Sequence, residues 1–124
     1  MNYTSFEQSM KLAKLGLDSS TADMCYKSMG KGLFIQDPIV IDENYLLIND
    51  IPCWSTGALI ELMPKSIRVN CIDYPLLIFC NSTSFDVEYN ANIIAEIGFN
   101  RDILIDAILE MIYWLLENNH IKKG

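Results

Sequence analysis

The segment from Ile103 to Leu116 places the strongest constraint on how this chain can fold. As an α-helix it would carry apolar side chains over well over half of its circumference, interrupted by the charged Asp106 and Glu110. A helix on a protein surface needs an apolar stripe of roughly 100°, so this wider stripe has to be covered from two sides. The segment is too short to cross a bilayer, which takes about 20 residues. It therefore predicts a helix from about Asp102 to Asn118 that packs against a sheet and against a second surface.

The second covering surface has two candidates. The first is another helix of the same chain, either the N-terminal one or the one that follows Ser55. The other is a second copy of the chain, because a two-fold dimer is the simplest closed assembly. In such a homodimer the candidate interface consists of Ile105, Leu109, Ile112 and Leu116.

Length and composition limit the class of protein. A chain of 124 residues corresponds to one domain, and we expect a single domain over residues 1–124. Hydrophobic residues make up 51% and charged residues 20%, so a packed core is expected. The net charge of −7 disfavours direct binding to nucleic-acid phosphates and to anionic membranes, since both depend on Lys and Arg.

The N-terminal region predicts two helices. Overlapping capping boxes begin at Thr4 and at Ser5, and Gly16 is placed to end the first helix. Its inward stripe is predicted to consist of Phe6, Met10, Ala13 and Leu17. A second, shorter helix, opened by the capping pattern Ser20-x-x-Asp23, is predicted from Ser20 to about Ser28.

The central region predicts a hairpin followed by a short helix. Residues 33–53 read as extended, with strands at Ile39–Ile41 and Tyr45–Ile48 around the turn Asp42–Asn44. Ser55 can cap a helix from about Thr56 to Met63, which Pro64 stops. Trp54 is predicted to be buried as an aromatic anchor near Leu59 and the last helix.

The region from Ser66 to Asn90 predicts a β-meander. Apolar and polar residues alternate over Ile67–Cys71 and Phe85–Tyr89, which is typical of strands with one buried face. The run Leu76–Cys80 is apolar on both faces and predicts a central strand. The segment Ile93–Ile97, before Gly98, favours one more strand over a helical turn. The expected fold is α+β: a small, mostly antiparallel β-meander sheet with N-terminal helices, a short central helix and a long C-terminal helix packed on one face.

Three segments resemble a known group of proteins. They are an FEQ helix at Phe6–Gln8, a P-x-W-S helix that opens at Pro52–Ser55, and a LIDA…EM…WL helix that opens at Leu104. This order resembles that of short uncharacterised proteins encoded in the genomes and prophage-like elements of gut bacteria. Cys53 occupies the variable position of the P-x-W-S motif. The resemblance implies fold and origin only, because the group has no known activity or site residues.

Cysteine and histidine offer little nucleophilic chemistry. The four cysteines show no C-x-x-C spacing, and the N-terminus carries no export signal, so we expect reduced, mostly buried thiols in a cytoplasmic protein. Cys25, Cys71 and Cys80 are predicted core residues. Cys53 lies in a predicted loop and is the candidate reactive thiol. His120 is predicted to be an exposed residue at the end of the last helix rather than a general base.

Acidic residues are numerous but lie in patterns that favour solvated surfaces. Asp102, Asp106 and Glu110 follow the narrow polar stripe of the last helix. No Lys or Arg occurs between Gly32 and Pro64 or between Val69 and Asn100. A continuous acidic surface is predicted from Asp42, Glu43, Asp86 and Glu88. No catalytic, cofactor-binding or metal-binding residue is assigned, and no cofactor is expected.

These observations favour a small non-catalytic protein-interaction or regulatory protein of a phage-like element, which acts by binding another protein. Two alternatives stay open. One is a small hydrolase that uses a carboxylate pair or Cys53. The other is an acidic decoy that occupies a nucleic-acid-binding protein.

Overall fold

The described part of the chain has an α+β fold that divides into two compact units. The computed structural model describes residues 2–41, 49–91 and 94–124. The first unit comprises Met1–Ala58 and Lys122–Gly124, and the second comprises Leu59–Ile121. Helices and antiparallel strands occur in both, which confirms the predicted fold class. The single domain stays a prediction.

The first unit contains helix α1, Phe6–Lys14, and two small antiparallel sheets. Its strands are β1 Met24–Tyr26, β2 Ser28–Gly30, β3 Leu33–Phe34, β4 Ile39–Val40 and β5 Ile51–Cys53. One sheet has the order β4-β1-β5, and β2 and β3 form the other. Helix α1 lies against β5, and helix α2, Thr56–Leu62, follows β5 along the chain.

The start and end of α1 are as predicted, but of the four residues of its predicted inward stripe only Leu17, which follows the helix, is buried. The Ser5 hydroxyl accepts a hydrogen bond from the Gln8 N–H at 3.1 Å, and the Ser5 N–H donates to the Gln8 side chain at 2.9 Å. Gly16 follows the helix with a φ of +90°. The buried residues of α1 are Ser9 and Leu12, whereas Met10 is exposed. Ser9 tolerates burial because its hydroxyl lies 2.7 Å from that of Thr4.

The prediction of a helix from Ser20 to Ser28 is wrong. Only Ser19–Thr21 is helical, as a short 3-10 turn, and the chain then continues as β1 and β2. Long-range pairing outweighs the local capping signal, because β1 pairs with β5 on one side and β4 on the other. The Asp23 carboxylate, predicted to help open that helix, instead accepts hydrogen bonds from the N–H and hydroxyl of Ser55.

The predicted hairpin around Asp42–Asn44 falls outside the described residues, as does its second strand at Tyr45–Ile48. Its first strand is described, and it pairs antiparallel with β1 through Ile39 and Val40. The predicted Ser55 cap is confirmed, because the Ser55 hydroxyl accepts a hydrogen bond from the Ala58 N–H at 3.2 Å.

Trp54 is fully buried, as predicted. Its backbone N–H donates to the Thr4 hydroxyl at 3.1 Å, and its indole Nε1–H donates to the Thr21 hydroxyl at 3.0 Å. The indole ring is therefore buried, and its one polar atom has a hydrogen-bond partner within the first unit.

The second unit is the predicted meander followed by the long C-terminal helix. Its elements are β6 Ser66–Val69, β7 Ile72–Cys80, β8 Phe85–Ala91, β9 Ile94–Arg101 and α3 Leu104–Glu117. The strands pair antiparallel in the order β6-β7-β8-β9, and α3 lies against β8 and β9. The further strand predicted before Gly98 is confirmed from Ile94 onward, while Ile93 is outside the described residues.

The strand that the sequence predicts through Cys71 ends two residues earlier, at Val69. Val69 pairs with Ile72, so Asn70 and Cys71 form the two-residue turn of the β6–β7 hairpin. Both turn residues have positive φ, 51° and 67°, which is the backbone of a type I′ turn. None of the described helices combines the length and the apolar character needed to cross a bilayer.

Candidate functional site

The candidate site is the outer face of the meander sheet, formed by Leu77 and Phe79 on β7 and by Asp86 and Glu88 on β8. Leu77 is opposite Glu88, and Phe79 is opposite Asp86, in the β7–β8 register. Side chains alternate between the two faces of a strand. Val87 and Tyr89, which alternate with the two acids on β8, are fully buried. The acids therefore lie on the face away from the core.

Two large apolar side chains are exposed on this face. Leu77 is 41% exposed and Phe79 is 46% exposed. They stand two residues apart on one strand, so their side chains are neighbours on the same face. Isolated apolar residues on a surface are common, but adjacent ones beside charged groups are typical of interaction sites.

The two carboxylates are held by neutral amides rather than by cations. Asp86 accepts hydrogen bonds from the side-chain amides of Asn81 at 3.0 Å and Asn100 at 2.8 Å. Glu88 accepts one from Asn90 at 2.8 Å. Within the described residues, neither acid has an ion-pair partner. Their negative charges are therefore fixed in position and not neutralised.

Gly98 on β9 makes room for the Glu88 side chain. A Cβ at Gly98 would lie 3.2 Å from the Cβ of Glu88 and 3.3 Å from one of its carboxylate oxygens. A side chain at this position would have to displace Glu88. Glycine at this position therefore leaves space on β9 for the neighbouring Glu88 side chain.

The continuous acidic surface stays a prediction. Asp86 and Glu88 lie on one face, as their alternation indicates, and both are half-buried. Asp42 and Glu43, the other two residues of that surface, are outside the described residues.

Cys53 is not in a loop but in β5, where it is fully buried. Its thiol lies 3.3 Å from the Thr4 carbonyl, to which it donates. Burial raises the pKa of the Cys53 thiol, so the thiol is protonated at neutral pH. An inaccessible, protonated thiol is a poor nucleophile, which removes the geometric support for Cys53 as a catalytic residue.

The predicted core positions of the other cysteines are correct in one case and wrong in two. Cys25 is buried in β1, but Cys71 and Cys80 are exposed. Cys71 is exposed because it lies in the turn between β6 and β7. Cys80 is exposed because it is the last residue of β7, five residues beyond Pro75, where the pairing with β6 ends.

The other candidate chemical groups are dispersed. Glu110 lies 3.7 Å from Arg101, and Asp102 is exposed. His120, which the sequence predicts to be exposed, is half-buried, because its ring stacks on Trp114 with centroids 5.3 Å apart. Among the described residues, no group of three or more His, Cys, Asp and Glu side chains is arranged to hold a metal ion.

The candidate dimer interface on α3 is buried within the chain. Its four side chains are between 0% and 2% exposed, and they are Ile105, Leu109, Ile112 and Leu116. The wide apolar stripe is therefore covered without a second copy. Self-association through these residues stays a prediction, and the exposed apolar surface that motivated it is not present on α3.

Helix α1 carries a second exposed apolar feature. Phe6 and Met10 line a shallow groove of about 390 Å³ together with three charged residues of the same helix, Glu7, Lys11 and Lys14. The Phe6 ring also contacts Tyr26 and Phe34, with centroids 5.4 and 5.0 Å away. Two residues of the predicted inward stripe of α1, Phe6 and Met10, thus form part of its surface, whereas Leu17 is buried.

Comparison with protein-family models, curated proteins and solved structures found no match to this chain.

Sequence reasoning missed Leu77 and Phe79 as site residues. The run Leu76–Cys80 is apolar at every position, so its pattern carries no sign of which face is buried. The signal that could have helped is in the paired strand, where Asp86 and Glu88 alternate with Val87 and Tyr89. Because antiparallel partners share a face, the polar face of β8 also identifies the outer face of β7.

Proposed function

We propose that this protein is a small non-catalytic interaction or regulatory protein that binds another protein through the outer face of its meander sheet. The observation that carries the proposal is the exposure of Leu77 and Phe79 directly beside two carboxylates, Asp86 and Glu88, that have no described cationic partner. An apolar centre with charged neighbours is the usual anatomy of a protein-binding patch.

The chemistry of this face indicates the character of the partner. Its apolar side chains gain from being removed from water at roughly 25 cal/mol per Å². Its fixed negative charges favour a partner that brings Lys or Arg to the same region and disfavour an acidic one. We therefore expect a partner surface that combines apolar and basic side chains.

This composition favours protein binding over the decoy alternative. A decoy for a nucleic-acid-binding protein has to present repeated negative charge in place of phosphates. On the outer face, the row next to the two acids is apolar, with Leu77 and Phe79 exposed. Those side chains match a protein surface better than they match a phosphate-binding one.

The proposal also covers the genetic origin of the protein and the cellular compartment in which it acts. The likeness of the FEQ, P-x-W-S and LIDA…EM…WL segments to short proteins of gut bacteria and their prophage-like elements suggests a phage-like origin. Free thiols at all four cysteines are compatible with a reducing compartment, and we propose that the protein acts in the cytoplasm.

Site-specific photo-crosslinking in host cells tests the proposal. A photoreactive phenylalanine analogue at position 79 should capture a discrete partner, because that side chain lies at the centre of the proposed contact. The same analogue at Met29, which is 60% exposed in the first unit, is the matched control.

The recovered partner must then bind the purified protein. Changing both Leu77 and Phe79 to Ala should weaken that binding at least about tenfold, as expected for central interface residues. A partner that crosslinks equally from positions 79 and 29, or that binds the double variant as tightly as the original, would contradict the proposal.

A further inference from the structure

We infer that the partner binds as an extended segment that adds a strand to β7, alongside Ile78 and Cys80 and in line with β6. The inference deepens the proposed function and rests on it. An exposed strand edge is a ready template for such pairing, because its unpaired N–H and C=O groups can complete a ladder with another chain.

The edge exists because β7 is much longer than β6. Strand β7 has nine residues, but β6 pairs only with its first four, Ile72 to Pro75. The Leu76 N–H donates to the Lys65 carbonyl at 2.8 Å, which is the last backbone hydrogen bond on that side among the described residues. Beyond Leu76, no described strand pairs with β7 on the β6 side.

The Leu76 hydrogen bond also fixes which backbone groups are available. Its N–H points towards β6, and backbone groups of alternate residues in a strand point to the same side. The N–H and C=O groups of Ile78 and Cys80 therefore point into the open position, whereas those of Leu77 and Phe79 point towards β8. An added antiparallel strand would form its hydrogen bonds with Ile78 and Cys80.

The side chains on the outer face favour basic residues at the positions of the added strand that lie on the same face. A strand added there would lie about 5 Å from β7 and about 10 Å from β8. The aliphatic stems of Arg or Lys could cover Leu77 and Phe79 while their charged ends extend towards the carboxylates of Glu88 and Asp86. An Arg above Phe79 would gain a cation–π contact as well.

On the opposite face, the side chains of the added strand have different neighbours. They would lie next to Ile78, which is half-buried, and Cys80, which is exposed. Apolar residues fit this side. The preferred segment therefore alternates basic and apolar residues, with the apolar ones directly opposite Ile78 and Cys80.

The probe is a short synthetic peptide of alternating arginine and valine, and the measurement is amide hydrogen exchange of the full-length protein by NMR. Without peptide, the amides of Ile78 and Cys80 should exchange fast while those of Leu77 and Phe79 are protected by β8. With peptide, exchange at Ile78 and Cys80 should slow at least about tenfold.

Backbone methylation of the peptide separates strand addition from other modes of binding. In the proposed register the valines carry the amides that bond to β7, so N-methylation of every valine should abolish binding. N-methylation of every arginine should leave binding unchanged, because those amides point away from the sheet. An alternating glutamate–valine peptide should fail to bind.

Charge variants test whether the acids of the outer face attract the peptide. Changing Asp86→Asn together with Glu88→Gln should weaken peptide binding at least about tenfold. The control is Asp37→Asn with Glu117→Gln, which removes the same charge from exposed positions elsewhere. It should change peptide binding less than about threefold. Circular dichroism verifies that each variant is folded.

Two results overturn the inference in distinguishable ways. If Leu77 and Phe79 are needed for binding but exchange at Ile78 and Cys80 is unaffected, the outer face binds a partner without strand addition, and the proposed function stands. If no peptide binds, strand addition by a basic–apolar segment is wrong, and the crosslinking experiment decides the proposed function separately.

Discussion

Thr4 joins three segments of the first unit through atoms that are all buried. Its hydroxyl accepts a hydrogen bond from the Trp54 N–H and pairs with the Ser9 hydroxyl, and its carbonyl accepts one from the Tyr26 hydroxyl at 2.8 Å. The sequence marks Thr4 only as a capping candidate. Its actual role depends on residues up to 50 positions away, which no local pattern contains.

Trp54→Ala should destabilise the protein by roughly 3–5 kcal/mol, because the indole is fully buried and bonded to Thr21. Met29→Ala, at an exposed position of the same unit, should change stability by less than about 0.5 kcal/mol. Urea unfolding followed by circular dichroism measures both. Equal midpoints for the two variants would mean that Trp54 is not an anchor.

Alkaline pH should unfold the protein through two buried tyrosines. Burial raises the pKa of Tyr26 and of Tyr89 above the ordinary tyrosine value of 10.0. The folded state holds these protons more tightly than the unfolded state, so the stability they contribute is complete below about pH 10 and is lost as the pH rises above it.

The ultraviolet absorbance of tyrosinate, recorded with circular dichroism, checks this expectation. Part of the tyrosinate signal should appear only as the native dichroism disappears. Changing both Tyr26 and Tyr89 to Phe should remove that part. Tyrosinate formation that is unrelated to unfolding in the original protein would show that both phenols are accessible.

At the scale of elements, the predictions that hold are those with a complete local signal. Helix α1 carries its own capping box, α3 its long apolar run, and β8 a clean alternation of Val87 and Tyr89 with polar residues. The prediction of a helix over Ser20–Ser28 fails, because its capping pattern precedes residues that pair with β4 and β5. Strand pairing between distant segments is a property of the whole fold, so the local pattern is misleading there.

Ser5→Ala should destabilise α1 by about 1 kcal/mol, because it leaves the Gln8 N–H without its capping acceptor. Ser19→Ala, an exposed serine of the same unit, is the control and should be close to neutral. Thermal unfolding of both variants measures the difference. A loss no larger than that of the control would mean that the capping box contributes nothing.

Cys71→Gly should stabilise the β6–β7 hairpin by up to about 1 kcal/mol, because glycine adopts the φ of 67° without steric cost and completes an Asn-Gly type I′ turn. Cys71→Ala removes the thiol but keeps the Cβ, so it should give no such gain. Chemical unfolding distinguishes the two. A glycine variant less stable than the alanine variant would contradict the described turn.

At the scale of the whole molecule, the proposed function depends on the apolar side chains that lie exposed on the outer face of the sheet. The sequence predicts the sheet and the face on which Asp86 and Glu88 lie, but not that Leu77 and Phe79 are exposed beside them. That exposure depends on which face of β7 lies towards the core, which follows from its pairing with β8 and is not visible in the uniformly apolar run Leu76–Cys80.

The most direct test of the central claim is the affinity of the crosslinked partner for the purified protein, measured by isothermal titration calorimetry. We predict that Leu77→Ala with Phe79→Ala weakens binding at least about tenfold, while Met29→Ala with Leu33→Ala, a more exposed apolar pair of the first unit, leaves it unchanged. Equal affinity for the original protein and the Leu77–Phe79 variant would contradict it.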